Sequence, residues 1–194
     1  MTLSWNAAGL LPPIAPSEHP AGLNRSPYLM TLDEAADFFV TTKTRLDIFR
    51  GFVRYRKALH DIGISKGFQW LNGSFVEQVE MMRKKSPKDT DVVTFAYLPQ
   101  DCNNQSDLLG RNPDLFNFST TKANFQVDGY MVFLGDPMTA EAVRQVSYWY
   151  SLWSHQRDTY AWKGFIQIDL SLDTDTYVEN ILKMKEEELR HESC

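Results

Sequence analysis

Phe68-Gln69-Trp70-Leu71-Asn72-Gly73-Ser74 and, with fourteen residues between them, Asp89-Thr90-Asp91-Val92-Val93-Thr94-Phe95 are the two segments on which the fold turns. The first is a short apolar run that stops at Asn-Gly-Ser, and the second is an apolar run opened by two carboxylates two residues apart. Runs of this length between turn-forming residues read as buried strands. Residues 90 to 98 form the second strand, which Pro99 closes.

Working outward, Gly73-Ser74 starts a helical turn through Phe75, Val76 and Val79, and Met81 to Lys88 is a charged loop. Upstream, Ile48, Phe52, Tyr55, Leu59 and Ile62 recur at helical spacing from Thr44 to Ile62, and Gly63 ends the run. The opposite side of that helix carries Lys43, Arg50, Arg54 and Lys57. This stripe reads either as a phosphate-tracking face or, more in keeping with the interspersed Asp47 and Asp61, as a solvated surface with internal ion pairs. Thr31-Leu32-Asp33-Glu34 is a capping box opening a short helix to about Val40. Residues 9 to 28 hold five prolines and two glycines, which exclude helix and predict an extended arm lying on the surface.

Downstream, Gln100 to Phe118 is rich in Asn, Asp and Gly and reads as an irregular excursion with one short helix, capped by Asn112 and started by Pro113. Phe125 to Leu134 is a third strand with Asp128 among apolar neighbours, ended by Gly135-Asp136-Pro137. Thr139 caps a helix whose Ala142, Val146, Trp149 and Trp153 share a face. Its aromatic stripe, Tyr148, Trp149, Tyr150 and Trp153, reads as core packing rather than a base-stacking platform. Trp162 to Leu170 alternates as a fourth strand, and a final helix from about Thr176 to Arg190 packs Tyr177, Ile181 and Leu182. The fold class is α+β: a mixed sheet of about four to five strands with helices mainly on one face, one domain over 1–194 with a Pro-rich arm (1–30) and a charged C-terminal helix (174–194).

Composition narrows the chemistry. The chain has 194 residues, 43% of them hydrophobic, which suits one core. Of the formal charge of -5, residues 173 to 194 carry -4, so the body is near neutral, which argues against a global field for nucleic acid. Cys102 and Cys194 make no disulfide framework, and the four histidines show no zinc spacing. No basic, apolar leader opens the chain and no apolar run approaches the roughly 20 residues of a membrane span, so a soluble, cytoplasmic protein is expected.

Residues two apart on a strand share a face, so Asp89 and Asp91 can grip one cation, and Asp128 is the best candidate for a third carboxylate from a neighbouring strand. Gly73-Ser74 lets backbone approach a phosphate. Each feature alone has an ordinary structural explanation, and their order is what gives them weight. Leu71-Asn72-Gly73-Ser74-Phe75, Asp89-Thr90-Asp91-Val92 and Asp128 resemble the signature of the nucleotidyltransferase superfamily that includes DNA polymerase beta and the minimal nucleotidyltransferases. Leu11-Pro12-Pro13, the Lys122 to Asp128 segment, Tyr148-Trp149, Arg157 and Lys163-Gly164 are similar to a bacterial family of unknown function with that core.

The resemblance implies Gly73 and Ser74 as triphosphate contacts and Asp89 and Asp91 as ligands of Mg2+ or Mn2+. It further implies Asp128 as third ligand or general base, and Lys122, Arg157 and Lys163 as nucleotide contacts. It implies transfer of a nucleoside monophosphate from an NTP to a hydroxyl of a protein or RNA acceptor in a toxin-antitoxin or phage-defence setting, with neither membrane nor DNA as partner. The rival expectation is a silent module of the same fold that holds a partner protein or a second copy through the arm. The spacing from Ser74 to Asp89 slightly exceeds the superfamily's usual one. The insert Val79 to Lys88, with Arg83, Lys84, Lys85 and Lys88, is either a longer loop or a basic lip.

Overall fold

The computed structural model describes residues 3–102, 104–135, 137–171, 175 and 177–191. Among them run five strands: β1 (Tyr28–Leu29), β2 (Gly67–Asn72), β3 (Thr90–Ala96), β4 (Val127–Phe133) and β5 (Ile166–Asp169). Their order in the sheet is β1-β5-β2-β3-β4. β2 pairs antiparallel with both β3 and β5, whereas β3 pairs parallel with β4 and β1 with β5. The helices are α1 (Leu32–Phe39), α2 (Lys43–Asp61), α3 (Val79–Arg83), α4 (Gln105–Arg111), α5 (Phe118–Phe125), α6 (Ala140–Trp153) and α7 (Val178–His191). This is an α+β fold on a mixed sheet.

Strand alternation sends side chains to two different cores. Leu71, Val92, Ala96, Val127, Ile166 and Ile168 join the helical layer of Phe39, Phe49, Phe52 and Leu59, which α7 closes with Val178 and Leu182. Trp70, Val93, Phe95, Val132 and Phe165 face the other way, onto Trp153, Trp149 and Val146 of α6. Most helices thus lie on one face, and α6 alone covers the other. The α1 capping box forms as its sequence dictates, with Thr31 and Glu34 exchanging hydrogen bonds. Thr42 and Thr139 cap α2 and α6. The basic stripe of α2 is a surface of ion pairs: Lys43 with Asp47, Arg50 with Glu186, Lys57 with Asp61.

Several expectations are corrected. The N-terminal arm does not lie on the surface. Leu10, Leu11 and Ala15 are buried, Leu11 at 1% exposure, the Trp5 indole donates to Val76 O (2.8 Å), and Gly164 N donates to Leu11 O (2.7 Å). The prolines rule out helix there, but the apolar residues between them supply the area that docks it, and the arm ends as β1. The stretch Gln100 to Phe118 is not irregular, since α4 occupies Gln105–Arg111 with Asn104 as cap. Pro113 does start a 3₁₀ turn, without a side-chain cap from Asn112. The third strand begins at Val127 because α5 runs through Phe125 and Gln126 breaks it with a left-handed φ of 56°. Met81 and Met82 lie in α3, not in a loop. The fourth strand is confined to Ile166–Asp169, and Trp162 is exposed. Tyr177 is exposed, and Val178 takes its place beside Leu182 and Ile181, which pack on the core as expected. Asp136, Thr176 and Cys194, and with them the strand terminator, the helix start and part of the tail, lie outside the described residues.

If the arm is core, truncating it must be felt. Leu11→Ala is expected to lower stability by roughly 2–5 kcal/mol, the range for a buried leucine, in urea unfolding followed by tryptophan fluorescence. A change within about 0.5 kcal/mol would return the arm to the surface.

Candidate active site

The α6 core stops short of one end of the sheet, and polar residues take over there. Register puts Asp91 opposite Asp128 in the parallel β3–β4 pair and opposite Asn72 in the antiparallel β2–β3 pair. Asp91 shares the face of Val93 and Phe95, and Asp128 that of Tyr130 and Val132, so both carboxylates emerge beside α6. Asp89 lies two residues before Asp91. The three carboxylates, with Gly73, Ser74, Lys122, Arg157 and Lys163, line one cleft of about 730 Å3. The eight residues singled out from the sequence are therefore brought together.

The turn after β2 is built to admit Asp91. Gly73 has φ +80°, and a Cβ there would collide with Asp91 Oδ2. Only glycine allows both that backbone and that approach. The 3₁₀ turn Ser74–Val76 follows. It is fixed from below by the buried guanidinium of Arg45, which donates to Phe75 O (2.6 Å), Glu77 O (2.5 Å) and both carboxylate oxygens of Glu80 (2.7 and 2.8 Å). The insert is thus tied to α2 through Glu80, with Lys84, Lys85 and Lys88 exposed beyond it.

The cations fall into different roles. Lys122 Nζ sits 2.8 Å from Asp89 Oδ2 and 3.6 Å from Asp128 Oδ2, and these carboxylates raise its pKa. Arg157 is exposed on the rim. Lys163 is not a free phosphate contact. It is 4% exposed, 2.6 Å from Glu77 Oε1 and 3.4 Å from Gly73 O, and burial outweighs Glu77 in lowering its pKa. Glu77 also accepts from Gln156 Nε2 (2.9 Å). Lys163 therefore holds the Gly73 turn in place.

Burial raises the Asp91 pKa to about 6, helped by Asp128 and Asp89 and opposed by Lys163 and Arg157. Asp128 Oδ1 and Asn72 Oδ1 are buried without a hydrogen-bond partner. Hard carboxylate oxygens, one of them orphaned, are the donor chemistry that suits Mg2+. They do not make a closed cage: among the described residues no group of three His, Cys, Asp or Glu is gathered to hold a metal, and Lys122 stands between Asp89 and Asp128.

Some cleft residues were not foreseen. Tyr130, whose phenol is pushed up to about 12 by burial and then by Asp128, was legible in principle, since it sits two residues after Asp128 on the same strand face. Glu77 and Gln156 had no signal, because Glu77 is remote in sequence from both of its partners, Lys163 and Gln156, and these contacts exist only after folding. The core reading of the aromatic stripe holds for Trp149 and Trp153, which pack on Tyr130 and Phe165. Tyr148 instead stands 59% exposed on the cleft wall.

A protein-family model, described as a family of unknown function (DUF6932), matches residues 3–169. The chain belongs to the DUF6932 family. That match takes in the arm, the whole sheet and every candidate site residue, and it ends before α7. No curated protein and no solved structure matches the chain. No helix among the described residues of this DUF6932 protein is long and apolar enough to cross a membrane.

Two outcomes test this geometry. The folded Asp91 carboxyl keeps its proton to about pH 6, whereas 3.8 is its ordinary value. The folded state therefore binds the extra proton, so the contribution of Asp91 to metal-free stability is most favourable below about pH 4 and is lost as pH rises through about 6. Asp91→Asn should raise metal-free stability at pH 7.5 by up to about 3 kcal/mol and change it little near pH 4, read from thermal melts in chelator. Separately, Lys163→Met leaves Glu77 buried beside Gln156 and a more distant Arg83, and should lower stability by about 3–5 kcal/mol. The double variant Glu77→Gln, Lys163→Met should recover part of that loss.

Proposed function

We propose that this DUF6932 protein is a divalent-metal-dependent nucleotidyltransferase that moves a nucleoside monophosphate from an NTP to an acceptor hydroxyl. The observation that carries the reading is the convergence of Asp89, Asp91 and Asp128 on a cleft that the Gly73-Ser74 turn also lines, close against Asp91. Asp89, Asp91 and Asp128 are the residues that would hold Mg2+ or Mn2+, which would supply neutralisation of the phosphate oxygens and of the developing charge. The chain's own groups do the rest. The Gly73 backbone and the Ser74 hydroxyl, which has no hydrogen-bond partner among the described residues, meet the triphosphate. Lys163 keeps that turn rigid from beneath through Glu77 and Gly73 O, and Lys122 and Arg157 lie at the rim within reach of phosphate charge.

The acceptor oxygen attacks the α-phosphorus, forming a new P–O bond as the bond to pyrophosphate breaks. The hydroxyl proton passes to Asp128, whose Oδ1 is buried and unpartnered. Pyrophosphate leaves past the rim. Asp91, half-protonated at about pH 6 without metal, would give up that proton when a divalent cation binds, so metal and nucleotide affinity should rise with pH between about 5 and 7.

One observation favours the rival reading of a silent partner-binding module. Lys122 bridges Asp89 and Asp128, supplying the neutralising charge that turnover would require from a metal. The two readings separate on labelling. Incubation with α-labelled NTPs, Mg2+ or Mn2+ and cell extract should label a macromolecule, and the Asp89→Ala, Asp91→Ala double variant should lose at least 100-fold of that signal. Equal labelling by both proteins, or no NTP binding in the presence of metal, removes the enzyme reading.

A further inference from the structure

The sheet ends on one side in β1, a strand of two residues, and on the other in β4, a strand of seven. Short edges are a common way of preventing unwanted pairing, and a long open edge is a template for another strand. Which groups of β4 face outward follows from its hydrogen bonds. Thr90 N donates to Gln126 O and Leu134 N to Ala96 O, so the even-numbered residues of β4 turn their backbone groups toward β3. The odd-numbered residues turn theirs away, and Gly129 N accordingly meets Thr121 Oγ1 (3.4 Å) on the outer side. Gly129 O and the N–H and C=O of Met131 and Phe133 have no hydrogen-bond partner among the described residues.

This open edge is the floor of a second groove of about 410 Å3. Leu109, Phe116 and Phe118 form one wall and Glu141 and Gln145 of α6 the other. An unpaired row of alternating donors and acceptors selects for polypeptide backbone in extended form, and neither a helix nor RNA supplies that complement. Side chains of an added strand would alternate between the apolar wall and the polar one. Tyr130 lines both this groove and the carboxylate cleft, so the two are neighbours across one side chain.

We infer that the β4 edge docks an extended segment of a partner protein, with apolar residues at alternate positions, as a sixth strand. Resting on the nucleotidyltransferase reading, the segment is the acceptor: a Ser, Thr or Tyr at its end beside Gly129 delivers its hydroxyl past Tyr130 to Asp128. The hydroxyl oxygen then forms the bond to the α-phosphorus, pyrophosphate leaves, and Asp128 takes the proton.

The test uses the full chain and a displayed library of random twelve-residue peptides. In the free protein the amides of Met131 and Phe133 should exchange with deuterium at least 100-fold faster than that of Val132, which is bonded to β3. Selected peptides should show alternating apolar residues, slow Met131 and Phe133 exchange at least tenfold, and leave Val132 unchanged. Met131→Pro, which removes one outward N–H, should weaken peptide binding at least tenfold, as should Leu109→Glu, a partly exposed wall residue that guards against misfolding of the proline variant. Both variants should bind NTP with Mg2+ as the wild type does, whereas Asp91→Asn should lose NTP binding and keep the peptide. Loss of NTP dependence on Asp91 with peptide docking intact would remove the enzyme reading alone. The docking inference is overturned by Met131 and Phe133 amides already as slow as Val132, by protection that appears only as protein concentration rises and so reports a second copy, by protection from RNA oligonucleotides instead of peptides, or by peptides indifferent to both variants.

Discussion

The pairing of Asp91 with Asp128 across two parallel strands is the constraint on which this molecule depends. Side chains on a strand alternate, so a slip of one residue between β3 and β4 would bury one carboxylate under α2 and leave the other alone beside α6. The register is secured from both sides. On one face Val92, Ala96 and Val127 pack under α2, and on the other Val93, Phe95 and Val132 pack under α6. The apolar parts of both strands thus determine where two charged residues meet, and burial first, then like-charge repulsion from Asp128, raises the pKa of Asp91.

A second set of buried charges holds the Gly73 turn beside them. Arg45 reaches from α2 to two carbonyls of the Ser74–Glu77 turn and to Glu80, and Lys163 reaches from the segment before β5 to Glu77 and Gly73 O. Buried ion pairs contribute little net stability, because desolvation offsets most of their attraction, but removing one partner is costly. Such pairs therefore discriminate strongly against other conformations of the turn. Their effect is to fix the one place where Gly73 must stand, close against Asp91 Oδ2.

The fold was legible wherever periodicity and turn chemistry agreed. The capping box at Thr31, the apolar face of α2, the Thr139 cap and both site strands follow from local rules. The reading failed where composition was allowed to stand for structure. Prolines concealed that Leu10, Leu11 and Ala15 are core, and Asn- and Asp-rich sequence concealed α4, for which Asn104 is itself the cap. At the site, spacing and resemblance located Gly73, Ser74 and the three aspartates. They could not locate Glu77 or tell that Lys163 is consumed by it, because that pair links residues 86 apart and depends on tertiary contact alone.

The aromatic covering of α6 and the charged end of the sheet act on each other. Trp149 packs on Tyr130 at 4.6 Å between ring centres, and Trp153 on Phe165, so the carboxylates stand at the margin of a dry, weakly polarisable layer. In such surroundings an uncompensated charge is penalised and a compensated one is held tightly. Without a cation, Asp91 responds by holding its proton up to about pH 6, and Asp89 and Asp128 by sharing Lys122. The same environment strengthens the pull of the carboxylates on any divalent cation that replaces that proton. On the proposed reading, nucleotide and metal would bind as a unit, because the triphosphate would bring ligands that three carboxylates and a lysine cannot complete by themselves.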